Sequence, residues 1–133
     1  MRAAVWFSYK GLPDTNFDLP YQSRSPVLGK IIKYETNKDI LQEVYRVLDE
    51  KGTQKFGIGQ SLFYQIPFFC NPSIILSEWC WEMINDYYLV TKYNIPLGED
   101  LDSIIVWRAD CFSVIESELN NINIHERDKN NGT

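Results

Sequence analysis

Histidine is almost absent from this sequence, which contains only His125, close to the C-terminal end. Catalysis by a serine or cysteine nucleophile needs a positioned imidazole base, and the polar stretch around His125 does not predict one. A zinc site needs more cysteine and histidine ligands than the spacing supplies. The sequence therefore predicts no catalytic residue, no cofactor and no metal.

Cysteine is scarce as well, and long apolar runs are missing. Cys70, Cys80 and Cys111 cannot all pair, and none lies in a CxxC motif, so we predict reduced thiols in the core. No apolar run approaches the roughly 18–20 residues that a membrane span requires. The first residues also lack the apolar core of a signal peptide. We therefore expect a cytoplasmic protein that does not cross a membrane.

Glycine does not form a phosphate-binding loop. Gly57 and Gly59 give the first half of a GxGxxG motif, but Leu62 stands where the third glycine is required. A glycine turn or bulge is the better interpretation. The carboxylates of the C-terminal half also lack the paired spacing of a helical metal site. The sequence thus predicts neither a nucleotide loop nor metal-dependent hydrolysis.

The composition is that of a folded domain. Hydrophobic residues make up 44% of the 133 residues and charged residues 23%, which excludes wholesale disorder. Aromatic residues reach 14%, a value typical of a thick core or of a binding face. We predict one globular domain over residues 1–122 and a polar, frayed tail over residues 123–133.

Strand patterns occupy much of the N-terminal half. Apolar residues alternate over residues 2–10 and again within residues 27–35, which predicts two paired strands. Residues 11–26 hold three prolines and no periodicity, so they are interpreted as a long loop. Residues 53–70 are interpreted as one or two short strands joined by glycines.

Helical periodicity dominates the remainder. The pattern predicts a capped helix over residues 37–51, a long central helix from Asn71 to Asn94, and a last helix over residues 99–122. The short connector between the last two helices predicts an antiparallel hairpin. The expected fold is an α+β domain in which a small, mostly antiparallel sheet packs against three helices.

Charge is divided unevenly along the chain. Residues 1–73 balance at +2, residues 74–122 at −7, and the remaining residues at zero. Binding to nucleic acid relies on lysine and arginine, so the acidic half argues against direct contact with DNA or RNA. It favours a basic partner instead.

Arg108 falls in the apolar face of the last helix, where a guanidinium needs paired acceptors. The simplest interpretation is an internal ion pair with Glu82 or Asp86 of the central helix. The alternative is a polar ligand pocket formed by Arg108 and the stripe of Glu78, Glu82 and Asp86.

The leading hypothesis for function is a non-enzymatic, protein-binding inhibitor. It would be an immunity protein that neutralises a basic toxin or nuclease, or a phage-type protein that blocks a host factor, and it would contact no nucleic acid or membrane directly. Its predicted contacts are the acids and aromatic residues of the C-terminal half: Glu78, Glu82, Trp81, Tyr88, Glu99, Asp100, Asp102, Trp107, Asp110, Glu116 and Glu118. The alternatives are a small-ligand or nucleotide-binding domain, with or without catalysis, around Arg108, and a structural subunit with an aromatic oligomer interface.

Overall fold

The computed structural model describes residues 1–13, 15, 17–50, 55–96 and 106–131 of the chain. Within these ranges a two-stranded antiparallel sheet lies among several helices. The predicted α+β class with a small antiparallel sheet is therefore confirmed. The main differences from the sequence analysis lie in two segments that form helices instead of strands.

The first of these segments is the N-terminus, where helix α1 spans Arg2–Lys10. The strand predicted here is wrong. All five residues from Ala3 to Phe7 are buried, so the helix has no polar face along that stretch and its apolar residues show no helical period. Helix α1 ends at Gly11, whose positive φ of 96° suits glycine and whose N–H donates to the carbonyl of Phe7 at 2.7 Å.

The sheet is made by β1 (Tyr21–Arg24) and β2 (Ile31–Tyr34), paired in antiparallel register from Tyr21 opposite Tyr34 to Arg24 opposite Ile31. A strand within residues 27–35 is thus confirmed. Its partner is β1, which lies inside the predicted loop over residues 11–26, and not the N-terminal segment. The Tyr21 hydroxyl donates to the Phe69 carbonyl and so ties the sheet to the helical layer.

Helix α2 spans Asn37–Asp49 and matches its prediction closely. Asp39 Oδ2 accepts the backbone N–H groups of Glu35 at 2.9 Å and Thr36 at 3.1 Å, which satisfies donors at the helix start. These bonds, that from Glu35 foremost, lower the pKa of the Asp39 carboxyl. The expected C-terminal glycine, Gly52, lies outside the described residues.

The second mispredicted segment forms helix α3 (Ile58–Gln65), followed by a 3₁₀ turn over Ile66–Phe68. The strands predicted over residues 53–70 are therefore wrong in the described part. Gly57 precedes the helix with a φ of 93°, and Gly59 lies in its first turn against α1. Gly57 therefore allows the backbone conformation at the start of the helix, and Gly59 allows the close contact with α1.

The predicted central helix is divided in two. Helix α4 spans Pro72–Ile75 and helix α5 spans Glu78–Tyr93, with Leu76 in an extended conformation between them. Ser77 is the N-cap residue of α5, and serine is a favoured helix start, which explains why a new helix begins inside the predicted one. The predicted C-terminal end is confirmed, since Asn94 adopts the left-handed conformation at φ 54°.

The last helix, α6, spans Val106–Asn131 and continues well past its predicted end at Ile122. The polar sequence after Ile122 is helical because it still has neighbours to pack on. Ile122 is buried, the His125 ring lies 5.7 Å from the ring of Trp6, and Glu126 pairs with Lys10 of α1. Helices α5 and α6 contact each other, while their predicted antiparallel hairpin stays a prediction because residues 97–105 lie outside the described ranges.

The core lies where α1 meets the other helices and one face of the sheet. Its largest fully buried side chains come from α1, β2, α2, α6, and the 3₁₀ segment with the residue that follows it: Trp6, Phe7, Tyr34, Ile40, Ile66, Phe69, Ile115 and Ile122. Each contributes roughly 1.5–3 kcal/mol of hydrophobic stabilisation on burial. No helix in the described ranges is both long and apolar enough to cross a membrane.

Candidate functional site

Two exposed tryptophans meet where α5 and α6 come together. Trp79 is 44% exposed and Trp107 is 49% exposed, and their ring centroids lie 6.2 Å apart with the planes inclined at 35°. Apolar residues at three- and four-residue spacing, Trp79 and Met83 among them, predict that Trp79 lies on the buried face of its helix, and this prediction is wrong. Large aromatic side chains left in solvent are typical of protein-binding surfaces.

Each tryptophan is followed at the third position by an exposed carboxylate, Glu82 after Trp79 and Asp110 after Trp107. Residues three apart are neighbours on a helix surface, so each indole has a carboxylate beside it. Glu78, also exposed, adds a third negative charge at the start of α5. Glu78, Trp79, Glu82, Trp107 and Asp110 together are called the acidic-aromatic face below.

Arg108 lies next to this face but is already engaged. Its Nη2 lies 3.4 Å from Asp86 Oδ2, and its guanidinium lies 5.5 Å from the centre of the Phe112 ring. Of the acids considered as its partner, Asp86 is therefore the one in place. Arg108 Nε is buried and has no hydrogen-bond partner among the described residues. The pair leaves Glu82 without an ion pair in the described part of the chain.

The two basic residues of α1 each pair with a carboxylate of α6. Arg2 Nη1 donates to Glu118 Oε1 at 2.7 Å, and Lys10 pairs with Glu126. Glu118 is only 3% exposed and also accepts the Trp6 indole N–H at 2.8 Å. Its predicted role as a surface contact is therefore wrong. Both carboxylates lie on α6 outside the acidic-aromatic face.

Three further predicted contacts do not join this face. Tyr88 is exposed, yet it lies nine positions after Trp79, which is about two and a half helical turns and so the opposite side of α5. Glu116 stands in the same relation to Trp107 on α6. Trp81 is half-buried against the core. Glu99, Asp100 and Asp102 lie outside the described residues.

His125 lies within α6, where its ring contacts two side chains of α3. Its Nε2 lies 2.7 Å from the Tyr64 hydroxyl, and Gln60 Nε2 lies 3.5 Å from its Nδ1. No serine or cysteine is among the partners described for this ring. In the described part of the chain, no three His, Cys, Asp or Glu side chains are grouped closely enough to hold a metal ion.

Two of the cavities in the described part of the chain have the volume of a small-molecule site. A polar one of about 630 Å³ lies beside His125 and is lined by Lys55, Gln60 and Asp128 among others. An apolar one of about 510 Å³ lies between the helices and includes Val44, Leu62 and Val114 in its lining. Neither is lined by Arg108 or by the stripe of Glu78, Glu82 and Asp86, so neither is the ligand pocket that the sequence suggests as an alternative.

Comparison with known proteins gives no further guidance. The chain matches no protein-family model, and neither a curated protein nor a solved structure is significantly similar to it. The case for a function therefore depends on the chemistry of these surfaces.

Proposed function

We propose that this protein is a non-enzymatic inhibitor that binds a basic protein partner, a toxin or nuclease domain, through the acidic-aromatic face. The observation that carries the proposal is the exposed contact between Trp79 and Trp107, flanked by carboxylates for which the described residues supply no cation. The nearest arginine, Arg108, is engaged by Asp86. The face therefore presents negative charge and aromatic area to solvent together.

These two properties have separate roles in association. Uncompensated carboxylates attract a basic partner over several ångströms and speed the encounter, an effect that salt weakens. Tryptophan side chains supply most of the binding energy at many interfaces, because burying an indole removes a large apolar area from water. A nuclease's phosphate-binding groove has the matching chemistry, since it is lined with lysine and arginine.

A phage-type protein that blocks a basic host factor would use the same face, so both versions of the proposal make the same physical prediction. A ligand-binding function remains the second candidate, and one observation favours it. Arg108 Nε is buried and unpaired among the described residues, and a polar ligand bound beside the Asp86–Arg108 pair would satisfy that donor.

The test compares two variants of equal net charge. In the face variant, Glu78, Glu82 and Asp110 are replaced by lysine. In the control variant the same change is made at three other exposed acids: Glu35, Asp49 and Glu116. A partner is first captured with the unmodified protein, identified and purified, and its association is then measured by stopped flow at two salt concentrations.

We expect the face variant to associate at least about tenfold more slowly, and to lose most of its salt dependence. The control variant should retain most of both. The captured partner should be basic, and its own activity should fall when the unmodified protein is bound. An acidic partner, or equal association of the two variants, would contradict the proposal.

A further inference from the structure

The apolar cavity of about 510 Å³ has a lining that the proposed function does not use. Its walls come from α1, α2, α3, the 3₁₀ segment, the α4–α5 region and α6. They are largely aliphatic and include Val44, Leu48, Leu62, Ile66, Ile75 and Val114. Ile58, which is 45% exposed, also lies in the lining, so the cavity reaches the protein surface.

The size and composition of this cavity suit a small apolar molecule. Ligand pockets usually enclose about 300–1,000 Å³ and combine apolar walls with a few polar groups. The lining contains no carboxylate and one charged side chain, that of Arg2. An apolar chain placed here would exchange water for aliphatic contacts with several helices at once.

Arg2 supplies the polar end of the site. A guanidinium carries five N–H donors, and the described contacts use one of them, from Nη1 to Glu118 Oε1. The side chain is 42% exposed and belongs to the lining of the cavity, so it is accessible to both solvent and a ligand. Arginine binds the two oxygens of a carboxylate side by side through two N–H donors, and the described contact to Glu118 uses only one of the five.

We propose that the cavity binds a single-chain amphiphile with a carboxylate head group, in the manner of a medium-chain fatty acid. The hydrocarbon chain lies among Val44, Leu62 and Ile66, and the carboxylate pairs with Arg2 at the entrance. This site shares no residue with the acidic-aromatic face. Its test is therefore independent of whether the protein binds a basic partner.

The first measurement is a calorimetric titration of the full chain with decanoate and dodecanoate, each kept below its micelle concentration. We expect saturable binding at one site per chain. Each added methylene should tighten Kd about fourfold, which is the transfer free energy of about 0.8 kcal/mol for one buried CH₂. Dodecanol, which lacks the charge, should bind at least about tenfold more weakly than dodecanoate.

Two cavity-filling variants, Leu62→Trp and Val114→Trp, test the location, because an indole occupies the space that the chain would take. Leu41→Trp, on the exposed side of α2, is the matched control. Either filled variant that retains the fold should weaken dodecanoate binding at least about tenfold, while the control binds as the unmodified protein does. Arg2→Gln also removes the partner of Glu118, so it is compared under conditions in which circular dichroism shows it folded. There it should weaken dodecanoate binding but leave dodecanol binding unchanged.

Several results would overturn the proposal. Dodecanoate binding that does not saturate, or that no filled variant weakens, would exclude the cavity as the site. Equal binding of dodecanol and dodecanoate, unchanged by Arg2→Gln, would exclude the carboxylate. A folded, unmodified protein that binds neither fatty acid would exclude the whole inference.

Discussion

Trp6 donates its indole N–H to Glu118 Oε2 over 2.8 Å, and both side chains are buried. The bond joins the first and last helices of the described chain across 112 positions of sequence. The partly exposed Arg2 donates to the other carboxylate oxygen, Glu118 Oε1, over a distance of 2.7 Å. Its positive charge balances the buried negative charge of Glu118. Glu118 therefore stabilises the contact between α1 and α6.

Replacing Glu118 with alanine should lower the free energy of unfolding by about 2–4 kcal/mol. The variant leaves the Trp6 N–H without an acceptor in the core and removes the packed carboxylate. Glu118→Gln keeps one acceptor for Trp6 and should cost less. Urea denaturation measures both changes, and Glu116→Gln, at an exposed position of the same helix, is the control and should stay within about 0.5 kcal/mol. A loss of the same size in the control would argue against this role of Glu118.

Gly59 allows the same contact to form. A Cβ atom added at this position would lie 2.5 Å from Glu118 Oε2 and 2.8 Å from Trp6 Nε1. Alanine normally stabilises a helix by about 0.5–1 kcal/mol relative to glycine. Here we expect Gly59→Ala to destabilise the protein by roughly 1–3 kcal/mol, because the side chains of Trp6 and Glu118 must move away from the added methyl group. Thermal unfolding shows whether the variant is less or more stable. A raised Tm would contradict the close contact of Gly59 with Trp6 and Glu118.

How much of the fold is readable from the sequence depends on how each helix is buried. Helix α2 buries one face, so Ile40, Val44 and Val47 repeat at helical spacing and the prediction succeeds. Helix α1 buries Ala3 to Phe7 without interruption, and a continuously buried segment carries no helical period. Its chance alternation of large residues then favours a strand, and only tertiary contacts correct the assignment.

The candidate site was predictable in part for a similar reason. The acidic balance of residues 74–122 is visible in the sequence, but which acids are neutralised internally depends on distant partners. Glu118 pairs with Arg2 at a separation of 116 positions, and no local pattern encodes that contact. The four-residue spacing of Trp79 and Met83 matches one apolar helix face, so the sequence alone places Trp79 in the core. Its exposure follows from how α5 is rotated against α6.

Two tyrosines of the sheet offer a matched pair of substitutions. The Tyr21 hydroxyl donates to the Phe69 carbonyl, whereas the Tyr34 hydroxyl is buried and has no hydrogen-bond partner in the described part of the chain. We expect Tyr21→Phe to cost about 1 kcal/mol of stability, and Tyr34→Phe to be neutral or slightly stabilising. Equilibrium unfolding in urea measures both. A larger loss for Tyr34→Phe would mean that its hydroxyl has a partner after all.

Burial also makes stability depend on alkaline pH. It raises the pKa of the Cys70 thiol from 9.0 to about 12. Burial, and next the negative charge of Glu43, raises the pKa of the Tyr34 hydroxyl from 10.0 to about 12. In the unfolded chain both groups lose their protons at lower pH than in the folded protein. Stability is therefore fully present below about pH 9 and falls as the pH rises toward 12.

Between its pKa in the unfolded chain and its pKa in the folded protein, each group holds one proton that the unfolded chain has released. In that pH range each group should lower the free energy of unfolding by up to about 1.4 kcal/mol per pH unit. Urea unfolding between pH 8 and pH 11 measures that slope. In Tyr34→Phe and Cys70→Ala the slope should become shallower, whatever either change does to stability at pH 8, because the titrating group is gone. Leu41→Ala, at an exposed apolar position without a proton to lose, should shift the free energy of unfolding by the same amount at every pH and leave its slope unchanged. If the slope is the same in all four proteins, Cys70 and Tyr34 are not the groups that resist ionisation in the fold.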